Sequence, residues 1–261
     1  GDLLEITVDK DFMPEPGIAR KRDYNNLGAG IAIGLPEISG GSGYASTAGV
    51  GYKYNASAGK VIFYIITAGH CIITKDPLGY QYKAVVGRDH HDARVSGYDM
   101  GLIRITDDNT LKYGRYATNG LYEYAERSDY YDQKIKDWNY MYRNQPVRKS
   151  GVKTGVTVGW VDSVDWKWDY TNDGYGWLYG ALVRSKDAKS PFSGAGDSGA
   201  VVYEYNSSNN DYYAVGLISG ATGGEPHCSY VTRMYDVVRY YSDSNYSFNL
   251  YTYDTRTKAA N

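Results

Sequence analysis

Apolar residues in this chain come in short runs separated by glycine and small polar residues, at the spacing of strands and not of helices. Residues 61–66 (VIFYII) form one continuous apolar run, as a strand covered on both faces requires. Leu102, Ile103 and Ile105 make an alternating strand that opens on Tyr98-Asp99-Met100-Gly101. The pair Val201-Val202 and the segment Ala214-Val215-Gly216-Leu217-Ile218 are further strands. Helical periodicity is scarce before residue 120. Met234, Val237, Val238 and Tyr241 form a helical stripe near the end of the chain, followed by alternation over residues 247–253.

Composition agrees with this pattern. The 261 residues include 31 glycines and 30 tyrosines, which points to an all-β protein with many turns and a core large enough to fold unaided. The net charge of −2 leaves no electrostatic case for nucleic acid or an anionic membrane as a partner. No apolar run approaches the ~18–20 residues that cross a bilayer. No cofactor or metal motif is present. Asp169, Asn172 and Asp173 offer oxygens, but their spacing does not match a calcium-binding EF-hand loop, and a β-turn on Asn172-Asp173-Gly174 accounts for them.

Two short strings carry the chemistry. Thr67-Ala68-Gly69-His70-Cys71 ends the first apolar run, and Gly196-Asp197-Ser198-Gly199-Ala200 leads into Val201-Val202. A serine hydroxyl is almost never ionised at neutral pH, so as a nucleophile it must pass its proton to a neighbouring base. Histidine suits that task because its pKa lies near working pH. The base needs an orienting group, usually a buried carboxylate. Between His70 and Ser198 the best placed carboxylate is Asp99, at the head of its strand. Asp89 and Asp92 are nearer to His70 in sequence, but they sit in the charged stretch Arg88-Asp89-His90-His91-Asp92 and read as solvated.

His70, Asp99 and Ser198, in that order and with those flanks, resemble the chymotrypsin-fold serine peptidases. The secreted bacterial streptogrisin and α-lytic type is the nearest branch. Val147-Arg148-Lys149-Ser150-Gly151-Val152-Lys153-Thr154-Gly155 looks like that branch's basic segment, and Ala214 to Gly220 looks like the strand that runs beside its substrate. The resemblance covers roughly residues 40–253. It implies two perpendicular six-stranded antiparallel β-barrels, then a C-terminal helix and final strand. The expected division is an N-terminal arm (1–40), a first barrel (41–115), an inter-barrel insertion (116–146), a second barrel (147–232) and a tail (233–261). The insertion reads as a helix or a lid beside the cleft. The cluster Arg20-Lys21-Arg22 in the arm reads as a processing site or a solvated turn.

The same resemblance assigns roles. The N–H groups of Gly196 and Ser198 form the oxyanion hole. Asp197, buried beside the nucleophile, needs a cationic partner, and either Lys149 or Arg148 fits. Phe192, Ser193, Ala195, Ser219, Gly220 and Ala221 contact substrate. Phe192 stands where a trypsin-like pocket has its carboxylate, and Ile218 where a glutamate-specific pocket has a histidine. A buried charge without a partner is costly, so the side chain before the scissile bond (P1) is expected to be apolar, aromatic or small, and not Lys or Arg. Cys71 and Cys228 lack their usual mates and are expected to be free thiols.

The activity implied is endopeptidase hydrolysis through an acyl-enzyme, with a peptide or protein substrate and no cofactor. A catalytically silent binding homologue, an esterase with the same triad, and a sugar- or cell-wall-binding module are the rivals. The first residues lack a signal peptide's basic start and apolar stretch. A protease loose in its own cytosol is hazardous, so the expectation is a secreted protein with its signal and any pro-segment removed.

Overall fold

A computed structural model describes residues 20, 24, 26–38, 41–72, 78–81, 84–88, 90–105, 116–123, 131–222, 227–252 and 257–258. Of the expected N-terminal arm (1–40), only Arg20, Tyr24 and residues 26–38 are among these, and Asp89 lies outside them.

The first half contributes β1 (Asn26–Ile38), β2 (Gly41–Asn55), β3 (Lys60–Thr67), β4 (Leu78–Gln81), β5 (Ala84–Arg88), β6 (His90–Asp92), β7 (Gly101–Arg104) and β8 (Tyr116–Leu121). The second half has β9 (Gln133–Trp138), β10 (Pro146–Gly151), β11 (Gly155–Tyr170), β12 (Gly176–Ser185), β13 (Val201–Asn206), β14 (Asp211–Ala221) and β15 (Cys228–Arg233). Helix α1 (Met234–Tyr241), β16 (Ser247–Leu250) and β17 (Thr257–Lys258) close the chain.

Six strands of the second half close into a ring by hydrogen-bonded ladders, β10 to β11, β12, β15, β14, β13 and back to β10, all antiparallel. In the first half, β4, β1, β2, β3 and β7 are linked in the same way. There β5 pairs with β4 and lies against β7, where a Cβ on Gly87 would strike the Arg104 carbonyl. Each ring buries the inward half of its strands. Ile31, Ile33, Val50, Ile65, Ile66 and Leu102 fill the first core; Val161, Val183, Phe192, Val202, Val215 and Val231 fill the second. The stripe on α1 packs as its spacing requires, with Met234, Val237 and Tyr241 buried. It docks beside β16, which returns to pair with β2 of the first ring.

Two features depart from the sequence reading. The first sheet begins at Asn26, inside the segment taken as an arm. The segment 116–146 contains no helix among its described residues; it supplies the strands β8 and β9. β8 adds to β1 in parallel, β9 adds to β14 in parallel, and β8 pairs with β9. The insertion is therefore a bridge between the two rings. Its pattern was weak because β9 buries only Ile135 fully among charged neighbours. The turn expected on Asn172-Asp173-Gly174 is present, closed by the Gly174 N–H donating to the Thr171 carbonyl (3.0 Å), with Gly174 in the left-handed region (φ 82°).

Both cysteines are free and buried. Among the described residues, no helix is long and apolar enough to cross a membrane.

Candidate active site

His70 sits in a 3-10 turn (Gly69–Cys71) directly after β3, whose apolar run anchors the turn in the first core. Gly69 is required there, since a Cβ would meet the Asp92 carboxylate at 2.6 Å and the Met100 carbonyl at 3.0 Å. Asp99 precedes β7, which pairs with β3, so the two turns emerge side by side. The His70 backbone N–H donates to Asp99 Oδ1 (2.9 Å), and Nδ1 lies 2.8 Å from Oδ2. On the other side of the ring, Nε2 is 2.8 Å from Ser198 Oγ. Asp99 is fully buried, and its own carbonyl accepts from Thr232 Oγ1 (3.0 Å). The His70 side chain is 28% exposed and Ser198 half-buried, so the hydroxyl–imidazole pair is reached from the surface. Burial works against the imidazolium, but the bond to Asp99, with a contribution from Cys71, outweighs it and raises the His70 pKa above 6.5.

The serine belongs to a loop of the second ring that is fastened to the first. Ser46 on β2 donates its backbone N–H to the Ser198 carbonyl (2.7 Å) and its hydroxyl to the Gly196 carbonyl (3.0 Å). The same hydroxyl accepts the Val152 N–H at 2.9 Å. Gly199 (φ 80°) permits this approach, because a Cβ there would run into Thr67 Oγ1, the Ser46 carbonyl and the Ala68 nitrogen. Gly196 also has a positive φ, 104°, which L side chains rarely adopt. Neither the Gly196 N–H nor the Ser198 N–H has an acceptor among the described residues.

Behind this loop is a fully buried ion pair. Lys149 Nζ lies 3.2 Å from Asp197 Oδ2, and both side chains have 0% exposure. Asp197 also accepts from the backbone N–H groups of Lys153 (2.8 Å), Thr154 (3.2 Å) and Gly194 (3.0 Å), and from Thr154 Oγ1 (2.6 Å). Lys149 donates further to Thr154 Oγ1 and the Gly155 carbonyl. Burial tends to raise the Asp197 pKa, but Lys149 and these donors hold it below 3.8. Burial pushes the ammonium of Lys149 down to about 8 despite Asp197. Arg148, the alternative partner, points elsewhere: its guanidinium meets Glu123 Oε1 at 2.5 Å.

The residues expected to contact substrate divide into two groups. Ala195 and Ala221 are exposed and Gly220 half-buried. One edge of Gly220–Ala221 is taken by β15, and the opposite edge carries no strand among the described residues. Ser193 and Ser219 are each only 2% exposed. Ser193 Oγ is 2.6 Å from Ser229 Oγ, and Ser219 Oγ bonds to Thr232 Oγ1 (2.9 Å) and reaches the Asp99 carbonyl (3.5 Å). Phe192 is a correction. It has no exposed surface, and its ring fills the second core beneath Gly159, so it offers substrate no wall. Phe192→Ala is expected to cost about 3–5 kcal/mol of stability, read as a fall in Tm.

Asp92 is another correction. It is not solvated: with a side chain 10% exposed, it takes three hydrogen bonds from the Arg94 guanidinium (2.6–3.0 Å). The sequence reading missed Ser46, Thr154 and Glu123. Ser46 had one signal, a hydroxyl among the buried alanines of β2. Two cavities open elsewhere. One of about 660 Å³ lies between Asn119, Asp132, Lys136 and Asn210, and one of about 550 Å³ between Trp160, Arg184, Lys186 and His227; neither touches the triad.

No family profile matches the sequence, and no curated protein is similar to it. Solved structures do match. The Nocardiopsis protease NAPase aligns over 87% of this chain and 100% of its own, at 19% identity and a TM-score of 0.55. A glutamic acid specific serine protease, described as using a histidine triad in substrate binding, aligns over 85% and 99%, at 24% identity and a TM-score of 0.55. Thermobifida fusca Protease A aligns over 87% and 100%, at 19% identity and a TM-score of 0.54. The chain therefore has the all-β fold of the chymotrypsin-like proteases.

Proposed function

We propose that this protein is a serine endopeptidase in which Ser198 is the nucleophile, His70 the general base and acid, and Asp99 the group that orients His70. The observation that carries the reading is the unbroken chain Asp99–His70–Ser198, two contacts of 2.8 Å, in a fold shared with proteases. Ser198 Oγ attacks the peptide carbonyl carbon as its proton passes to His70 Nε2. The carbonyl oxygen becomes an anion, and the Gly196 and Ser198 N–H groups are its donors. One such donor contributes about 2.7–4 kcal/mol to transition-state stabilisation. His70 then gives the proton to the departing amine, leaving an acyl group on Ser198. A water molecule, deprotonated by His70, attacks that acyl carbon and frees the serine. Asp99 holds the Nδ1 proton throughout and stabilises the imidazolium.

An extended peptide fits the unpaired edge of Gly220–Ala221 by strand addition, which favours peptides over simple esters. The preference for apolar, aromatic or small side chains ahead of the scissile bond remains our reading. Ser193 and Ser229 face one another there, and no described carboxylate is bonded to either. A glutamate-specific pocket is disfavoured because Ile218, and not a histidine, precedes Ser219.

A fluorophosphonate probe tests the central reading. Covalent labelling at Ser198, lost in His70→Ala with the fold retained, supports it; a folded protein that resists the probe points to a silent homologue. The pH profile is a second test. Protonated His70 has no lone pair for the serine proton, so kcat/KM should fall as pH drops through the His70 pKa. Asp99 raises that pKa, so the acid limb is expected above pH 6.5 and should move down in Asp99→Asn. A limb at or below 6.5 in the native protein contradicts this assignment.

A further inference from the structure

The most deeply buried arginine among the described residues stands outside the triad and outside the Lys149–Asp197 pair. Arg20 is 2% exposed, although it comes from a segment whose sequence reads as a solvated basic turn. Its carbonyl accepts the Ala32 N–H (3.0 Å), which fastens the arm to β1. Its guanidinium lies 4.7 Å above the Tyr122 ring. Nη1 donates to the Gly30 carbonyl (2.9 Å) and to Ser150 Oγ (2.7 Å), and Nη2 reaches the Glu123 carbonyl at 3.4 Å. Ser150 Oγ in turn donates to the Tyr122 carbonyl. Gly30 makes the seat possible, since a Cβ there would lie 2.5 Å from Ser150 Oγ and 2.8 Å from Arg20 Nη1. One planar fork therefore ties together the arm, β1, the end of β8 and β10.

Position on β10 gives this fork its significance. Ser150 is the neighbour of Lys149 and pairs with Val201, just after the nucleophile loop. We propose that Arg20 is a positioning residue for the reaction centre, holding β10 in the register that sets the Lys149–Asp197 pair behind Ser198. The inference rests on the peptidase reading only for its kinetic arm. The charged groups facing the Lys149 ammonium are Asp197, from the nucleophile loop, and Arg20, from the arm. Thr154, in the turn between β10 and β11, and Gly155, the first residue of β11, supply neutral acceptors. The like charge of Arg20 adds to the lowering of the Lys149 pKa that burial begins, so the two cations are coupled directly as well as through Ser150.

The experiment compares native protein with Arg20→Ala and Arg20→Lys. Peptide turnover is measured alongside the titration of lysine Cε-labelled Lys149 by NMR, assigned by its absence in Lys149→Arg. In Arg20→Ala, kcat is expected to fall by about a hundredfold, as a small displacement at a catalytic loop does, while KM changes little. The Lys149 titration should move to higher pH, and added ethylguanidinium should restore both readings. Arg20→Lys keeps the charge but loses the fork, so it should lower kcat while leaving the Lys149 titration near its native value. If Arg20→Ala does not fold, Arg20→Lys decides the matter. A folded variant with native kcat and an unmoved Lys149 titration overturns the proposal, as does a loss confined to KM. If the native protein hydrolyses no peptide yet Arg20→Ala shifts Lys149, the peptidase reading fails and the coupling stands.

Discussion

Ser198→Ala is expected to abolish turnover, lowering kcat by about a millionfold, while the protein stays folded. The two effects separate because the hydroxyl has one partner among the described residues, His70 Nε2 at 2.8 Å. The loop is held by its backbone instead, through the Ser198 carbonyl, which accepts the Ser46 N–H at 2.7 Å, and by Asp197 and Gly199 on either side. Removing a half-exposed oxygen should change stability by less than about 0.5 kcal/mol. Turnover of a chromogenic peptide and calorimetric Tm on the same preparation test both halves. Substantial residual turnover in a well-folded Ser198→Ala variant would end the case for an acyl-enzyme at this residue.

Lys149→Met should be costly for a different reason. Lys149 and Asp197 are both at 0% exposure, so deleting the ammonium leaves a carboxylate in the interior without its counter-charge. Breaking a buried pair from one side typically costs about 3–5 kcal/mol. The exposed pair Arg184–Asp162, with side chains 40% and 36% exposed, should contribute only about 0–1 kcal/mol. The pH dependence follows from the Asp197 shift. Its folded pKa lies below 3.8, so its stabilising contribution is complete above that value and is lost as pH falls through the folded pKa. Without Lys149 the folded pKa rises, so acid unfolding should begin at higher pH. Activity should collapse as well, because Asp197 is flanked by Gly196 and Ser198. Urea titrations at pH 7 and an acid-unfolding curve measure these effects; native stability in Lys149→Met would show that the pair contributes nothing net.

Sequence legibility followed the range of the interactions. The strings around His70 and Ser198 were readable because their demands are local: Gly69 avoids a clash, and Gly196 and Gly199 adopt positive φ. Asp99 was readable from its place at the head of an alternating strand. Arg20, Ser46 and Glu123 were not, because each is a single polar residue whose partner is remote in the chain. Arg20 meets Ser150 across 130 positions, and Ser46 meets Gly196 across 150. Asp92 was misread although its partner Arg94 is only two positions away, because a charged stretch in a sequence suggests solvent. Lys149 was legible only through the resemblance of its segment, because composition alone makes it part of a basic turn. The bridging strands β8 and β9 were hidden because neither alternates: β8 carries Thr118, Asn119 and Gly120 in its middle, and β9 buries only Ile135 fully.

Because β8 and β9 stitch the rings together by hydrogen-bonded ladders, swinging the halves apart like jaws would break those bonds. On the peptidase reading, a polypeptide would then dock between halves that are already joined, and the entropy lost on docking would be mostly the guest's own. Such a rigid host should tolerate many sequences poorly and a few well, and short, pre-extended inhibitors should gain most from it.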